Sequence, residues 1–252
     1  MARRRFFVDE VHHGKAIATG DEAQHLRQVL RAELRQRYEL SDGERVYLAE
    51  IEEFRKQTVT FRILEELPQP KELIHVTLAV ALIKFDRLEL MIEKATELGV
   101  SRIVVFPAVR SERGLEKAVP KRMERWQRIS MEAAKQSHRV RGTEIEEAPN
   151  LAAICRIPND LKFLLDEQGG APILSAMPPI AKRTQRTTAT LLLGPEGGWD
   201  ERERQQALAS GFVPLWLGQR ILRAETAALS ALSALQFSWD EALLPTEVIA
   251  VD

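Results

Sequence analysis

Leu191-Leu192-Leu193-Gly194-Pro195-Glu196-Gly197-Gly198-Trp199 carries an apolar strand straight into a glycine-rich turn ahead of a helix start, the kind of junction at which α/β proteins bind their ligands. A second junction follows, Val213-Pro214-Leu215-Trp216-Leu217-Gly218, and leads into Gln219-Arg220-Ile221-Leu222-Arg223-Ala224-Glu225-Thr226-Ala227. Two such junctions close together point to one site. Gly194, Gly197 and Gly198 carry no Cβ and accept positive φ, so a flat ligand can approach the main chain and bond to its N–H and C=O groups. Asp200 is expected to cap the next helix, with Glu203 completing a capping box. Neither Gly-Lys-Ser/Thr nor G-x-G-x-x-G occurs in the chain, which disfavours a nucleotide-dependent phosphotransferase.

Working outward, the text up to about residue 66 is strand-like and turn-rich, with Arg45-Val46-Tyr47-Leu48-Ala49 and Thr58-Val59-Thr60-Phe61-Arg62-Ile63 separated by Ser41-Asp42-Gly43 and charged turns. This predicts a small β-barrel. Pro68-Gln69-Pro70-Lys71 is the expected linker, since two prolines break regular structure. Beyond it the pattern alternates. A strand over Leu73 to Ile83 precedes a helix over Arg87 to Leu98, with Leu88, Met91, Ile92, Ala95 and Leu98 on one face and Gly99 as its stop. Ile103 to Phe106, Leu161 to Leu165, Ala189 to Leu193 and Phe212 to Leu217 read as further strands, and Lys121 to Arg139 as a long amphipathic helix. Alternating strands and helices imply an α/β fold with a mainly parallel sheet. The final helix, Thr226 to about Leu243, is rich in Ala and Ser, which suits close packing against a helix of its own chain or of a second copy.

Across 252 residues the hydrophobic content is 44% and the formal net charge −1, values of an ordinary globular chain. The sum hides a segregation. Arg110, Arg113, Lys117, Lys121, Arg122, Arg125, Arg128, Lys135, Arg139 and Arg141 cluster in one stretch, whereas residues 39 to 72 lean acidic, a distribution that points to an RNA-facing surface. Single Cys155 excludes an intramolecular disulfide and reads as a small buried hydrophobe, in keeping with a cytoplasmic location. No apolar run follows the basic start, and Val76 to Ile83 is too short to span a bilayer, so neither export nor a membrane is expected. His12, His13 and His25 lack a companion ligand cluster; no metal is expected.

Taken together, GPEGGWDERE and LGQRILRAETAALSAL resemble the two signature stretches of the RsmE family, SPOUT-class methyltransferases of 16S ribosomal RNA. Leu90 to Val100 is similar to that family's helix ending in K-x-x-E-L-G-V, and Glu132 to Arg139 to its E-A-x-x-Q-x-x-R. Arg5-Phe6-Phe7 and Val29-Leu30-Arg31 match its N-terminal strings, so the resemblance spans nearly the whole chain. Two stretches depart from the pattern: Val140-Arg141-Gly142-Thr143-Glu144-Ile145 lacks the usual proline, and Ser41-Asp42-Gly43-Glu44 stands where D-G-x-G is usual. Both lie outside the cofactor loops and bear on RNA docking.

The resemblance implies a PUA-like RNA-binding β-barrel over residues 1–70 and a SPOUT-type α/β domain over 71–252 with a C-terminal trefoil knot at about 161–240. It implies a homodimer that uses S-adenosyl-L-methionine to methylate N3 of a uridine in the small ribosomal subunit. The cofactor would lie among Leu165, Gly194, Glu196, Gly197, Gly198, Leu217, Gly218, Ile221, Leu222, Arg223 and Thr226. Arg223 would hold a carboxylate or a uracil oxygen through its planar fork. Glu225 is expected as the catalytic base or as the first-turn acid of the last helix, and Glu196 as a loop bond or a substrate contact. RNA would meet Arg3, Arg4, Arg5, Phe6, Arg31 and Arg139, although Phe6 and Phe7 also suit the core of the first strand. The same loops would serve a methyltransferase of another RNA or of a ribose 2′-hydroxyl. A non-catalytic RNA-binding protein would need them less.

Overall fold

The computed structural model describes residues 4–69 and 72–243, so Arg3 and the Pro70-Lys71 half of the expected linker lie outside the described residues. Two compact units emerge, one of Met1–Lys71 with Met131–Gly142, the other of Glu72–Ser130 with Thr143–Asp252. In the first, β1 (Arg5–Phe7), β2 (Val11–His12), β3 (Lys15–Ala18), α1 (Gly20–Gln24), β4 (Arg37–Ser41), β5 (Val46–Phe54) and β6 (Val59–Leu67) follow in order. Among the described residues these strands form a six-stranded sheet ordered β1-β4-β5-β6-β3-β2, with β1–β4 parallel and the other pairs antiparallel. Leu26, Leu40, Ile51, Val59 and Phe61 fill its core. A π-helical turn, His25–Val29, extends α1 and ends near Arg31, a non-glycine residue in the left-handed region at φ 50°.

The second unit contains β7 (Ile74–Ala81), α2 (Phe85–Glu97), β8 (Arg102–Phe106), α3 (Leu115–Gln136), β9 (Glu144–Glu147), α4 (Leu151–Cys155), β10 (Leu161–Leu165), β11 (Ala171–Pro172), α5 (Ile173–Ala176), β12 (Thr187–Leu193), α6 (Glu201–Ala209), β13 (Val213–Trp216) and α7 (Ala224–Leu243). Residues of α3 from Met131 onward count with the first unit. Among the described residues the strands form a seven-stranded sheet, β11-β13-β10-β12-β7-β8-β9, in which every pairing is parallel. A parallel sheet is covered on both faces, which is why β7 is buried at every position but His75 and β12 at every position but Thr188. Alternate residues of β7 feed two cores. Val76, Leu78 and Val80 meet Leu88, Trp126, Leu232 and Trp239 from α2, α3 and α7. Ala79 and Ala81 meet Leu151, Ile154 and Ala207 from α4 and α6 on the other face.

α2 stops as its glycine foretold: Gly99 takes φ 86° and Val100 N–H reaches back to the Ala95 carbonyl at 3.0 Å. α3 differs at both ends from the span expected at Lys121 to Arg139. It starts at Leu115 and keeps Pro120 inside, because fully buried Val119 and the packed Leu115 anchor the extra turn. At its C-terminus His138 turns left-handed (φ 56°) and Arg139 N–H bonds the Ala134 carbonyl at 2.9 Å, so Arg139 lies past the helix. Asp200 caps α6 by accepting from Arg202 N–H at 3.0 Å. Glu203 does not complete a capping box; its buried Oε1 accepts instead from Val109 N–H at 3.0 Å, which ties α6 to the loop after β8.

Candidate active site

The parallel register sets Leu165 beside both Leu193 and Leu215, so β10, β12 and β13 end side by side and their following loops share one rim. A cavity of about 590 Å³ opens there. Leu165, Gly194, Glu196, Gly197, Gly198, Leu217, Gly218, Ile221, Leu222 and Arg223 line it, which brings both glycine junctions to one place. Glu225 and Thr226 do not line it. Glu225 is buried in the first turn of α7, with Oε2 unpaired among the described residues, and Thr226 is exposed.

Four glycines stand in the lining, Gly194, Gly197, Gly198 and Gly218, where no side chain separates a ligand from the peptide groups. From Gly218 to Leu222 the backbone enters no backbone hydrogen bond with other described residues, and a Cβ on Gly218 (φ 115°) would meet nothing within 4 Å. Those N–H and C=O groups are free for a ligand. Gly194 is needed for a different reason. A Cβ there would lie 2.8 Å from the Trp199 ring, which is 3% exposed and donates its Nε1–H to the Leu165 carbonyl at 3.1 Å. Trp199 thus wedges the glycine turn and ties it to the end of β10.

Asp166, next to Leu165, is held from both sides: Oδ2 accepts from Arg204 Nε at 2.6 Å and Oδ1 from Gln168 N–H at 3.0 Å. Its carboxylate, fully buried as a side chain, is therefore spent on fixing the loop. Asp166 raises the pKa of Arg204 through this hydrogen bond and its charge. Arg87 from the start of α2 pairs with Glu196 at 2.5 Å, and Arg110 donates to the Gly197 carbonyl at 3.3 Å, so the outer edge of the turn is held by two cations. Glu196 accordingly makes a loop-holding bond. Arg87, Trp199 and Arg204 had no signal in the sequence, because each acts on residues far along the chain.

The residues expected to meet RNA divide. Arg4, Arg5 and Phe6 line a cavity of about 490 Å³ in the first unit, while Arg31 and Arg139 do not. Phe6 is 3% exposed and packs edge-on to Tyr38 with ring centroids 5.4 Å apart, so it is a core residue and offers no stacking face. Arg5 is committed inside the protein, to Glu39 at 2.8 Å and to the His138 carbonyl. Several members of the basic stretch are paired as well: Arg122 and Arg125 with Glu89, Arg128 with Glu124, Lys135 with Glu22. Among the described residues no group of three or more His, Cys, Asp or Glu is placed to hold a metal, and no helix is long and apolar enough to cross a membrane.

A family model for the RNA methyltransferase domain matches residues 69–236. Ribosomal RNA small subunit methyltransferase E of Bacillus subtilis is 31% identical over 234 residues, covering 87% of this chain and 88% of its own. The Synechocystis protein of the same name is 32% identical over 238 residues, covering 90% and 74%. Among solved structures, ribosomal RNA small subunit methyltransferase E from Neisseria gonorrhoeae bound to S-adenosyl methionine superposes with a TM-score of 0.80 at 28% identity, covering 94% of this chain and 98% of that one. A putative methyltransferase from Legionella pneumophila, in complex with the same cofactor, gives 0.81 at 28% identity with equal coverage.

Proposed function

The chain belongs to the RsmE family of RNA methyltransferases, and from that membership we propose that it transfers the methyl group of S-adenosyl-L-methionine to N3 of a specific uridine in 16S ribosomal RNA of the small subunit. The observation that carries this reading is the cavity at the ends of β10, β12 and β13. Its 590 Å³ lies in the range of about 300–1,000 Å³ usual for small-molecule sites. The glycine-bearing stretches Gly194 to Gly198 and Gly218 to Leu222 lie on its wall, and their peptide groups suit an uncharged adenosine. The cofactor, when bound, supplies an electrophilic methyl group on a sulfonium. Positioning by the three loops accounts for much of the rate, since in-line alignment removes orientational entropy from the barrier.

Uracil N3 must lose its proton as it attacks, and negative charge grows on the ring oxygens. Arg223, an exposed cation on the cavity wall, is assigned to the reacting end, where its fork meets a uracil oxygen or the cofactor carboxylate. Glu225, buried in the first turn of α7 and off the cavity wall, is assigned its other expected role, the first-turn acid of that helix. The finer fold belongs to the same reading: a PUA-like RNA-binding barrel over residues 1–70, and a methyltransferase domain over 71–252 knotted across about 161–240. The return of β13 between β10 and β11 supports the knot. Exposed Phe237 on α7 and Ile221 on the adjoining loop support a homodimer. The reaction is assigned to the cytoplasm, where ribosomal subunits are assembled.

Methyl transfer from labelled cofactor to small subunits lacking the modification, followed by mass spectrometry of the nucleosides, tests the proposal. N3-methyluridine, lost with Arg223→Ala, is the expected product. Label in another nucleoside, or on the ribose, overturns the assigned position; cofactor binding without transfer overturns the RNA.

A further inference from the structure

The 490 Å³ cavity of the first unit gathers sequence strings that lie far apart: Arg4 to Phe6, the Asp21 to His25 segment, and Gln136 to His138. Its frame is built and internally neutralised. Arg5 is bonded to Glu39 and to the His138 carbonyl, and Lys135 to Glu22 at 2.5 Å and Glu132 at 2.8 Å. His138 is held in a left-handed conformation (φ 56°) with Nδ1 3.3 Å from Glu39, a strained geometry that persists only where its surroundings over-determine it. The groups left over differ in kind. The Arg4 guanidinium is exposed, with one contact, 3.4 Å to His25 Nε2; the Asp21 carboxylate and the Gln136 amide have no side-chain partner among the described residues.

A guanidinium, an imidazole ring, an amide and a carboxylate on one cavity form a mixed donor and acceptor set. An isolated phosphate fits it poorly, because Asp21 and Glu22 stand beside the cations. A nucleotide fits it. Unpaired RNA bases are recognised through hydrogen bonds on their edges and stacking on histidine or arginine planes, while phosphates take the cations. We propose that this cavity receives an unstacked nucleotide of the substrate RNA, with its phosphate on Arg4, its ring against His25 and its base edge on Gln136 and Asp21. The inference rests on the RNA reading above and assigns it a second contact point besides the methylated base.

The test is equilibrium binding of the full chain, at fixed salt, to four short homopolymeric RNAs and to an abasic ribose-phosphate chain of equal length. At least one homopolymer is expected to bind roughly tenfold more tightly than the abasic chain, and Gln136→Ala and Asp21→Asn to erase that margin. Arg4→Ala is expected to weaken all five probes alike and to flatten the salt dependence. Cofactor affinity, measured by calorimetry, is expected to stay unchanged in each variant, which reports an intact second unit. Equal binding of abasic and homopolymeric probes by the unsubstituted protein, or variants that bind as it does, overturns the inference and leaves methyl transfer to small subunits standing. A protein that binds none of the five probes loses both this site and the RNA role of the first unit. Absence of methyl transfer despite normal discrimination among probes fails the catalytic reading alone.

Discussion

The two cavities are walled differently. The cavity of the second unit lies at strand ends and has four glycines in its lining, so a ligand there can reach peptide groups; that of the first has no glycine and is lined mostly by charged and amide side chains on a neutralised frame. The contrast teaches where each tolerates change. A main-chain wall fails when a side chain is added or its backing moves, and a side-chain wall fails when a head group is removed.

The severest way to break the first arrangement is Gly194→Ala. Its new Cβ would press on a buried, hydrogen-bonded indole at 2.8 Å, and overpacking of this kind costs about 1–3 kcal/mol. Cofactor affinity by calorimetry is expected to fall up to roughly a hundredfold. Arg204→Met tests the backing of the wall instead of the wall itself. It strips the partner from Asp166, a cost of about 3–5 kcal/mol for a fully buried pair, discounted to ~2 kcal/mol because the Arg204 side chain is 18% exposed. Chemical denaturation of the second unit, with weakened cofactor binding, is the readout.

A glycine substitution in the first unit sharpens the contrast. Gly43→Ala meets nothing within 4 Å, but φ 90° strains any L side chain, so stability is expected to drop by about 1 kcal/mol with cofactor affinity unchanged. The smallest expected effect concerns pH. Thr188 N–H and hydroxyl, bonded to Asp160 at 2.8 and 2.9 Å, hold that carboxyl below the usual carboxylate range. A depressed folded-state pKa stabilises fully above the unfolded value, near 3.9, and the contribution is lost as pH falls through the folded pKa. Asp160→Asn is therefore expected to lower the melting temperature slightly at neutral pH, with the difference vanishing in acid.

Particular elements show what was legible. Leu161–Leu165 was expected and found as a strand with the same limits, and Gly99 and Asp200 act as the helix stop and cap they resemble. Arg31 and Arg139, expected on RNA with Arg4 and Arg5, do not share their cavity; Phe6 is core. Glu203 has the spacing of a capping box, yet bonds the Val109 amide. For Glu203 and Phe6 a local pattern named the right residue type for a role that a partner elsewhere in the chain then claimed.

From the sequence alone came the α/β alternation, the paired glycine junctions and the family likeness, because apolar periodicity and turn chemistry are properties of neighbouring residues. Only the tertiary structure decided that β13 lies against β10, that Trp199 bonds the Leu165 carbonyl, and that Arg204 and Arg87 serve the loops from afar. Those are contacts between segments separated by many residues. Burial and directional hydrogen bonding select them only after the chain has packed.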